Sequence, residues 1–238
     1  MKHNEKHLSI GIPAYNEEER IQSTLRSVYK MAKDTLDRFE ILVVDDGSTD
    51  RTYELAQETA RQLGAEVRVI HREINQGVGS AFHLFLEAAQ FPYISLIPGD
   101  NAYTSDGIKR LFSSVGQARL VISFRDEMKH KRTKLRFVLS KVATAYLCVL
   151  AGKRVRDAHS LFVFPVEETR KLNVKNTSYG YHMETLSRLL RKSDHFCQVP
   201  VELTPKPDAS SGVMRPRVLW GLGLTMLKLI GLRLINKL

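Results

Sequence analysis

Only two cysteines, Cys148 and Cys197, stand among 238 residues, too few for a disulfide framework. Both lie in apolar or helical stretches, so buried free thiols in a reducing compartment are expected. No uninterrupted apolar run reaches the length that a membrane-crossing helix needs. The nearest, from Val218 to Leu238, is broken by Lys228, Arg233 and Lys237. Residues Met1 to His7 are polar and lead into an apolar run of only strand length, so no secretory signal is expected. Negative charge is scarce too: 26 acids face 36 lysines and arginines, a formal net charge of +10. Such a balance implies an anionic partner, whether nucleic acid, a phosphate-bearing substrate or an anionic membrane face. Nucleic acid is the weakest of these, because the basic segment with Lys129, Lys131, Arg132, Lys134 and Arg136 has few aromatic residues interleaved for stacking. With 43% hydrophobic residues, the chain can bury a full core.

The richest stretch is Glu40-Ile41-Leu42-Val43-Val44-Asp45-Asp46-Gly47-Ser48-Thr49-Asp50. A short aliphatic and β-branched run, stopped by acidic, Gly and Ser/Thr residues, reads as a buried parallel strand. Its carboxyl end opens into a loop, which is where open α/β sheets bind ligands. Asp45 and Asp46 repel each other there and gain no packing, so they read as site residues. The simpler alternative is a polar turn in which Ser48 or Asp50 caps the next helix. Further strands are expected at Leu8–Pro13, Glu66–Ile70, Tyr93–Pro98 and Leu120–Arg125. Helical spacing follows at Ile21, Leu25, Val28 and Met31, with Asn16 as the expected N-cap, then at Thr52–Leu63 and from the Asn75–Ala81 loop towards Ala89. The alternation predicts an α/β fold with a mostly parallel, doubly wound sheet flanked by helices. Tyr15 to Glu17, Asp45, Asp46, Asp100 and Asn101 then converge on one crevice. Oxygen ligands beside a phosphate site suit Mg2+ or Mn2+. The loop with Gly77 and Gly79 lacks the Walker and full dinucleotide patterns; it is either a phosphate cradle or simply a tight loop.

Taken in order, Pro13-Ala14-Tyr15-Asn16-Glu17-Glu18, Val43 to Asp50, Asn75 to Ala81 and the acidic strand end at Asp100 resemble a family 2 glycosyltransferase of the GT-A fold. The polyprenyl-phosphate (dolichyl-phosphate) mannose and glucose synthases are the most similar in pattern. The resemblance is dense in the first half and continues to about Gly212. It implies a GT-A domain over residues 1–214 and a C-terminal amphipathic helix over 215–238. Donor nucleotide contacts are implied for Pro13, Ala14, Tyr15, Glu17, Asp45, Asp46, Gly77 and Lys206, the last where relatives carry an arginine. The family's Asp-x-Asp metal motif falls on Pro98-Gly99-Asp100, with Pro98 in place of the first aspartate. Asp100 and Asn101 are the implied metal ligands, and Asp100 and Asp157 the implied catalytic residues. Arg125, Arg136 and Ser140 match an acceptor-phosphate clamp, and Arg and Ser one helical turn apart share a face.

A phosphate monoester is already ionised at neutral pH, so the lack of an evident catalytic dyad is tolerated. Its oxygen would attack the anomeric carbon with inversion as the nucleoside diphosphate leaves. Asp157 orients acceptor or sugar, or caps a turn. His159 reads as a polar loop residue, and Glu184 either as an acid near the sugar or as an exposed helical glutamate. From Arg215 to Leu238 the chain is apolar and basic, fitting an amphipathic helix on a bilayer surface or a helix packed on the core.

The expected function is transfer of a hexose from a nucleotide sugar, GDP-mannose or a UDP-sugar, to a polyprenyl phosphate or related lipid-linked acceptor. This enzyme would associate peripherally with the cytoplasmic face of a membrane, with no nucleic-acid partner and homo-oligomerisation left open. Two rivals keep the fold: transfer to a soluble saccharide, with Asp157 or Glu184 as base, or nucleotide-sugar binding with lapsed catalysis, marked by Pro98.

Overall fold

The computed structural model describes residues 5–125, 134–193, 195–204, 223, 225, 226 and 228–231. Strand β1 (His7–Ala14) leads to α1 (Ile21–Thr35), β2 (Arg38–Asp46), α2 (Thr52–Leu63), β3 (Val67–Arg72), α3 (Val78–Ala88) and β4 (Tyr93–Leu96). Then follow α4 (Ser105–Ser113), β5 (Leu120–Arg125), α5 (Lys134–Ala151), β6 (Phe162–Pro165), α6 (Val166–Lys171), α7 (Tyr181–Lys192) and β7 (Phe196–Val201).

These strands form one sheet in the order β3-β2-β1-β4-β6-β5-β7. All described pairings are parallel except those of β6, which runs antiparallel to both β4 and β5. Both faces are covered, and β2 shows how. Ile41 and Val43 enter the core under α1, α2 and α4, whereas Leu42 and Val44 enter the core under α3, α5 and α7. Alternate residues of a strand point to opposite faces, so an unbroken aliphatic run is what a doubly covered strand requires. Gly11 in β1 lets Phe85 of α3 lie close, since a Cβ there would stand 2.8 Å from that ring.

The sheet direction decides what meets at its ligand-binding edge. The carboxyl ends of β1, β2, β3, β4 and β5 all lie on one edge. Because β6 runs the other way, the loop that precedes it arrives at that same edge. The strand order reverses beside β1, whose neighbours are β2 and β4, and a crevice opens at such a reversal.

Three local expectations need correction. Asn16 does not cap α1, which starts at Ile21 behind Arg20; it adopts a left-handed φ of 55°, and its side chain is used elsewhere, as described below. The two cysteines are free but half-buried, and Cys148 contacts the backbone of Val155. Glu184 is neither exposed nor available to a sugar: it is 1% exposed and bonds Arg188 at 2.8 Å and Lys228 at 3.1 Å. The helix expected over 215–238 falls mostly outside the described residues, as does the boundary near 214. Those described between 223 and 231 include helical ones, with Leu229 buried against Leu150.

Candidate active site

The loops after β1 and β2 are stitched into one wall. Asn16 accepts from the Thr49 backbone N–H at 2.9 Å, and its own N–H donates to Ser48 Oγ at 2.9 Å. The Glu17 N–H donates to Thr52 Oγ1 at 2.7 Å, and Asp50 accepts from the backbone N–H groups of Glu18 and Thr52 at 3.2 and 3.0 Å. Asp50 thus holds the turn before α2 and Ser48 ties the two loops together, while neither caps the helix, which starts behind Arg51 with no side-chain capping bond. Pro13 is half-buried and Ala14 buried, while Tyr15 stands exposed above them.

Asp45 and Asp46 are both buried, and they do different work. Asp45 Oδ2 lies 2.7 Å from His71 Nδ1 at the end of β3, with the imidazole stacked on Tyr53 at 4.3 Å. Its Oδ1 is buried and has no hydrogen-bond partner among the described residues. Asp46 accepts from Arg72 Nη1 at 3.0 Å and from the backbone N–H groups of Gln76 and Gly77 at 3.0 and 2.7 Å. Asp46 therefore shapes the glycine loop, and its negative charge is balanced by Arg72. The loop is tight for steric reasons. Gly77 has φ 86°, and a Cβ on Gly79 would stand 2.5 Å from the carbonyl carbon of Thr177. Neither His71 nor Arg72 stood out in the sequence, although both sit at a strand's carboxyl end, where site residues collect.

Across the crevice, Gly99 donates to the Pro13 carbonyl at 3.3 Å and accepts from Thr24 Oγ1 at 2.9 Å. This packs the Pro98–Asn101 turn onto the end of β1 and onto α1; Asn101 takes a left-handed φ of 52°. Asp100 is half-buried beside Tyr179. Burial of its hydroxyl end raises the Tyr179 pKa first and the Asp100 charge adds to it, with part of the ring still exposed.

The inverted direction of β6 brings Asp157 to Arg125. Arg125 donates from Nε to Oδ2 at 2.6 Å and from Nη2 to Oδ1 at 2.9 Å, a fork that a lysine could not make. Asp157 also accepts from the His159 N–H at 2.9 Å. Burial alone would raise its carboxyl pKa, but Arg125 and this N–H outweigh it and hold Asp157 below the ordinary carboxylate range. Tyr103, buried against the same group, has its hydroxyl pushed up to about 12, by burial first. Beyond His159 lies His182. Its Nδ1 is 2.8 Å from the Tyr179 carbonyl, which only accepts, so that nitrogen carries the proton and Nε2 accepts from His159 Nδ1 at 3.2 Å. Burial, with the neighbouring His159, lowers the His182 pKa to about 3.

Arg125 and Asp157 are thus brought together, with Arg125 and Asp100 both near Tyr179, while Pro13 to Glu17, Asp45, Asp46 and Gly77 stand at the ends of β1 and β2 and on the loops bonded to them. Ser140 lies on α5, which reaches the Asp157 loop through Thr144 Oγ1, an acceptor for the Ala158 N–H at 3.2 Å. The side chain of Arg136 and all of Lys206 lie outside the described residues. Among the described residues no group of three His, Cys, Asp or Glu could hold a metal ion by itself. A cation that keeps its waters and arrives on a diphosphate would need only one carboxylate from the protein.

The family model described as "Glycosyl transferase family 2" matches residues 9–186. The chain is 29% identical over 71% of its length to the dolichyl-phosphate beta-glucosyltransferase ALG5A of Trichomonas vaginalis, of which it covers 56%. It is 25% identical to the undecaprenyl-phosphate mannosyltransferase of Micrococcus luteus, covering 89% of this chain and 92% of that one. Against four of the curated relatives it spans only 30% to 56% of their length. Among solved structures, glucosyl-3-phosphoglycerate synthase from Mycobacterium tuberculosis in complex with UDP superposes with a TM-score of 0.69 at 20% identity, over 94% of this chain and 80% of that one. The same synthase is also known in complex with Mn2+, UDP and phosphoglyceric acid. The fold is GT-A, as the motif order implied.

Proposed function

The chain belongs to glycosyl transferase family 2, and from that premise we propose that it moves a hexose, with inversion, from a nucleotide sugar to a polyprenyl phosphate or related lipid-linked phosphate. The observation that carries this reading is the Arg125–Asp157 fork at the sheet edge, where the loop before β6 meets the end of β5. A guanidinium fixed by a buried carboxylate is an anion anchor, and an acceptor that is already anionic needs no general base. The lipid phosphates in the names of two similar proteins support the same acceptor class.

On the donor side, Pro13, Ala14, Tyr15 and Glu17 with Asp45 form the wall for base and ribose. Asp46 holds the loop at Gly77 open for the diphosphate, and Lys206 supplies positive charge there. Asp100 and Asn101 would hold Mg2+ or Mn2+, which when bound neutralises the departing nucleoside diphosphate; the Mn2+ named for a structural neighbour supports this choice. Arg125, Arg136 and Ser140 bind and orient the acceptor phosphate, and Asp157 keeps Arg125 in place. Work at the cytoplasmic face of a membrane follows from such an acceptor.

The test is transfer of labelled sugar from GDP-mannose and a panel of UDP-sugars to a short polyprenyl phosphate in detergent, with and without Mg2+ or Mn2+. Cation-dependent appearance of a sugar-phosphate lipid is expected. Transfer to a soluble saccharide instead, or nucleotide-sugar binding with no turnover on any acceptor, would replace this reading with one of its rivals.

A further inference from the structure

Helix α5 is apolar on both sides, and among the described residues only one side is packed. Leu147, Leu150 and Ala151 are buried in the body of the protein. On the opposite stripe, Val138, Lys141, Val142, Ala145 and Val149 are all exposed, at the i, i+3, i+4, i+7, i+11 spacing that defines a single helical face. The exposure is large: 55% for Val138 and Val142 and 74% for Val149. The other long surface helices show charge there, as α1 does with Arg26, Lys30 and Lys33 and α2 with Glu54, Glu58 and Arg61. A bare valine stripe on a helix that already has a buried face contributes nothing to folding, so it points to a contact outside the chain.

The charges around the stripe say which contact. Helix α5 contains no acidic residue; it begins Lys134-Leu135-Arg136 and is followed by Lys153, Arg154 and Arg156. An apolar stripe on a helix that has no acidic residue and is flanked along the chain by lysines and arginines complements an anionic lipid surface, where valines enter the acyl boundary and basic groups meet the headgroups. A second copy of the chain would instead bring like charges together. Helix α5 also carries Ser140 and bonds the Asp157 loop through Thr144, so a membrane lying on it would present lipid headgroups beside the candidate acceptor site.

We propose that the outer face of α5 is the membrane-docking surface of this protein and that it binds anionic bilayers by its valine stripe and basic borders. The proposal rests on the lipid-phosphate reading for its purpose but not for its evidence, and its test is independent of turnover. The full chain is sedimented with phosphatidylcholine vesicles, with and without phosphatidylglycerol, and compared with V138E/V142E/V149E and with the milder V138T/V142T/V149T. Wild type is expected to bind the phosphatidylglycerol vesicles, less so in high salt. The glutamate variant should bind at least about tenfold more weakly and the threonine variant should lie between, both with unchanged thermal midpoints. Equal binding by wild type and the glutamate variant would overturn the proposal, as would no wild-type binding to either vesicle. A wild-type dimer that the variants turn into a monomer would reassign the face to self-association. Sugar transfer to a short, detergent-soluble polyprenyl phosphate is measured alongside: its absence in wild type counts against the proposed function, and its retention in a vesicle-blind variant separates the two.

Discussion

Replacing His182 by Gln should remove much of the acid sensitivity of folding. The imidazole is buried, donates from Nδ1 to the Tyr179 carbonyl, accepts from His159, and has a pKa of about 3. An unfolded chain would protonate the same ring near its ordinary 6.5. Between those values the unfolded state holds a proton that the folded state refuses, so stability is intact above about pH 6.5 and falls as the pH drops. Each pH unit in that window removes about 1.4 kcal/mol, so moving from about pH 6.5 to 5 costs about 2 kcal/mol, a sizeable part of the 5–15 kcal/mol typical of a domain. Asp157, whose carboxyl is lowered, acts in a separate window below the ordinary carboxylate range and cancels between wild type and variant. Urea unfolding near pH 7, 6 and 5 measures the effect. His182→Gln should be less stable at pH 7, having lost buried hydrogen bonds, yet show a shallower fall towards pH 5. Parallel pH dependences for the two proteins would refute a neutral, buried His182.

Asp100→Ala should cut metal-dependent sugar transfer roughly a hundredfold or more, read from initial rates across a Mn2+ titration; wild-type rates would remove Asp100 from the site. Asp157→Ala leaves Arg125, whose side chain is 14% exposed, without its carboxylate and should destabilise the protein by about 3 kcal/mol in urea unfolding. Its acceptor KM should rise as well, and a change in neither quantity would contradict the anchoring role. Gly79→Ala puts a Cβ 2.5 Å from the Thr177 backbone and should cost about 1–3 kcal/mol, seen as a lower thermal midpoint. A variant as stable as wild type would mean that the close approach of α3 to the Thr177 loop is not needed.

Much of the wall built on β1 and β2 was legible along the chain. The Ile41–Val44 run could only suit a strand covered on both faces, and its stop at Asp45-Asp46-Gly47 marked the edge where a ligand binds. What it left open was the difference between the two aspartates, because that depends on His71 and Arg72, some 26 residues away. Asn16 was misread as a helix cap for the same reason: its partner is Thr49, across the crevice. Glu184 looked like a surface residue because helical spacing cannot tell which face a neighbouring segment covers, and it is Lys228 that covers it. The outer stripe of α5 was equally hidden, since an apolar helix shows which residues are hydrophobic and not which of them stay bare.

Local pattern by itself determined the strands, the loops that end them, the family and the basic balance of the whole chain, because runs of side chains and turn residues act over a few positions. Only the tertiary structure decided which loops meet. Arg125 and Asp157 are 32 residues apart and form one site because β6 inserts antiparallel between β4 and β5. That strand order is selected by burying both sheet faces at once, a condition on the packed whole that no stretch of sequence satisfies alone.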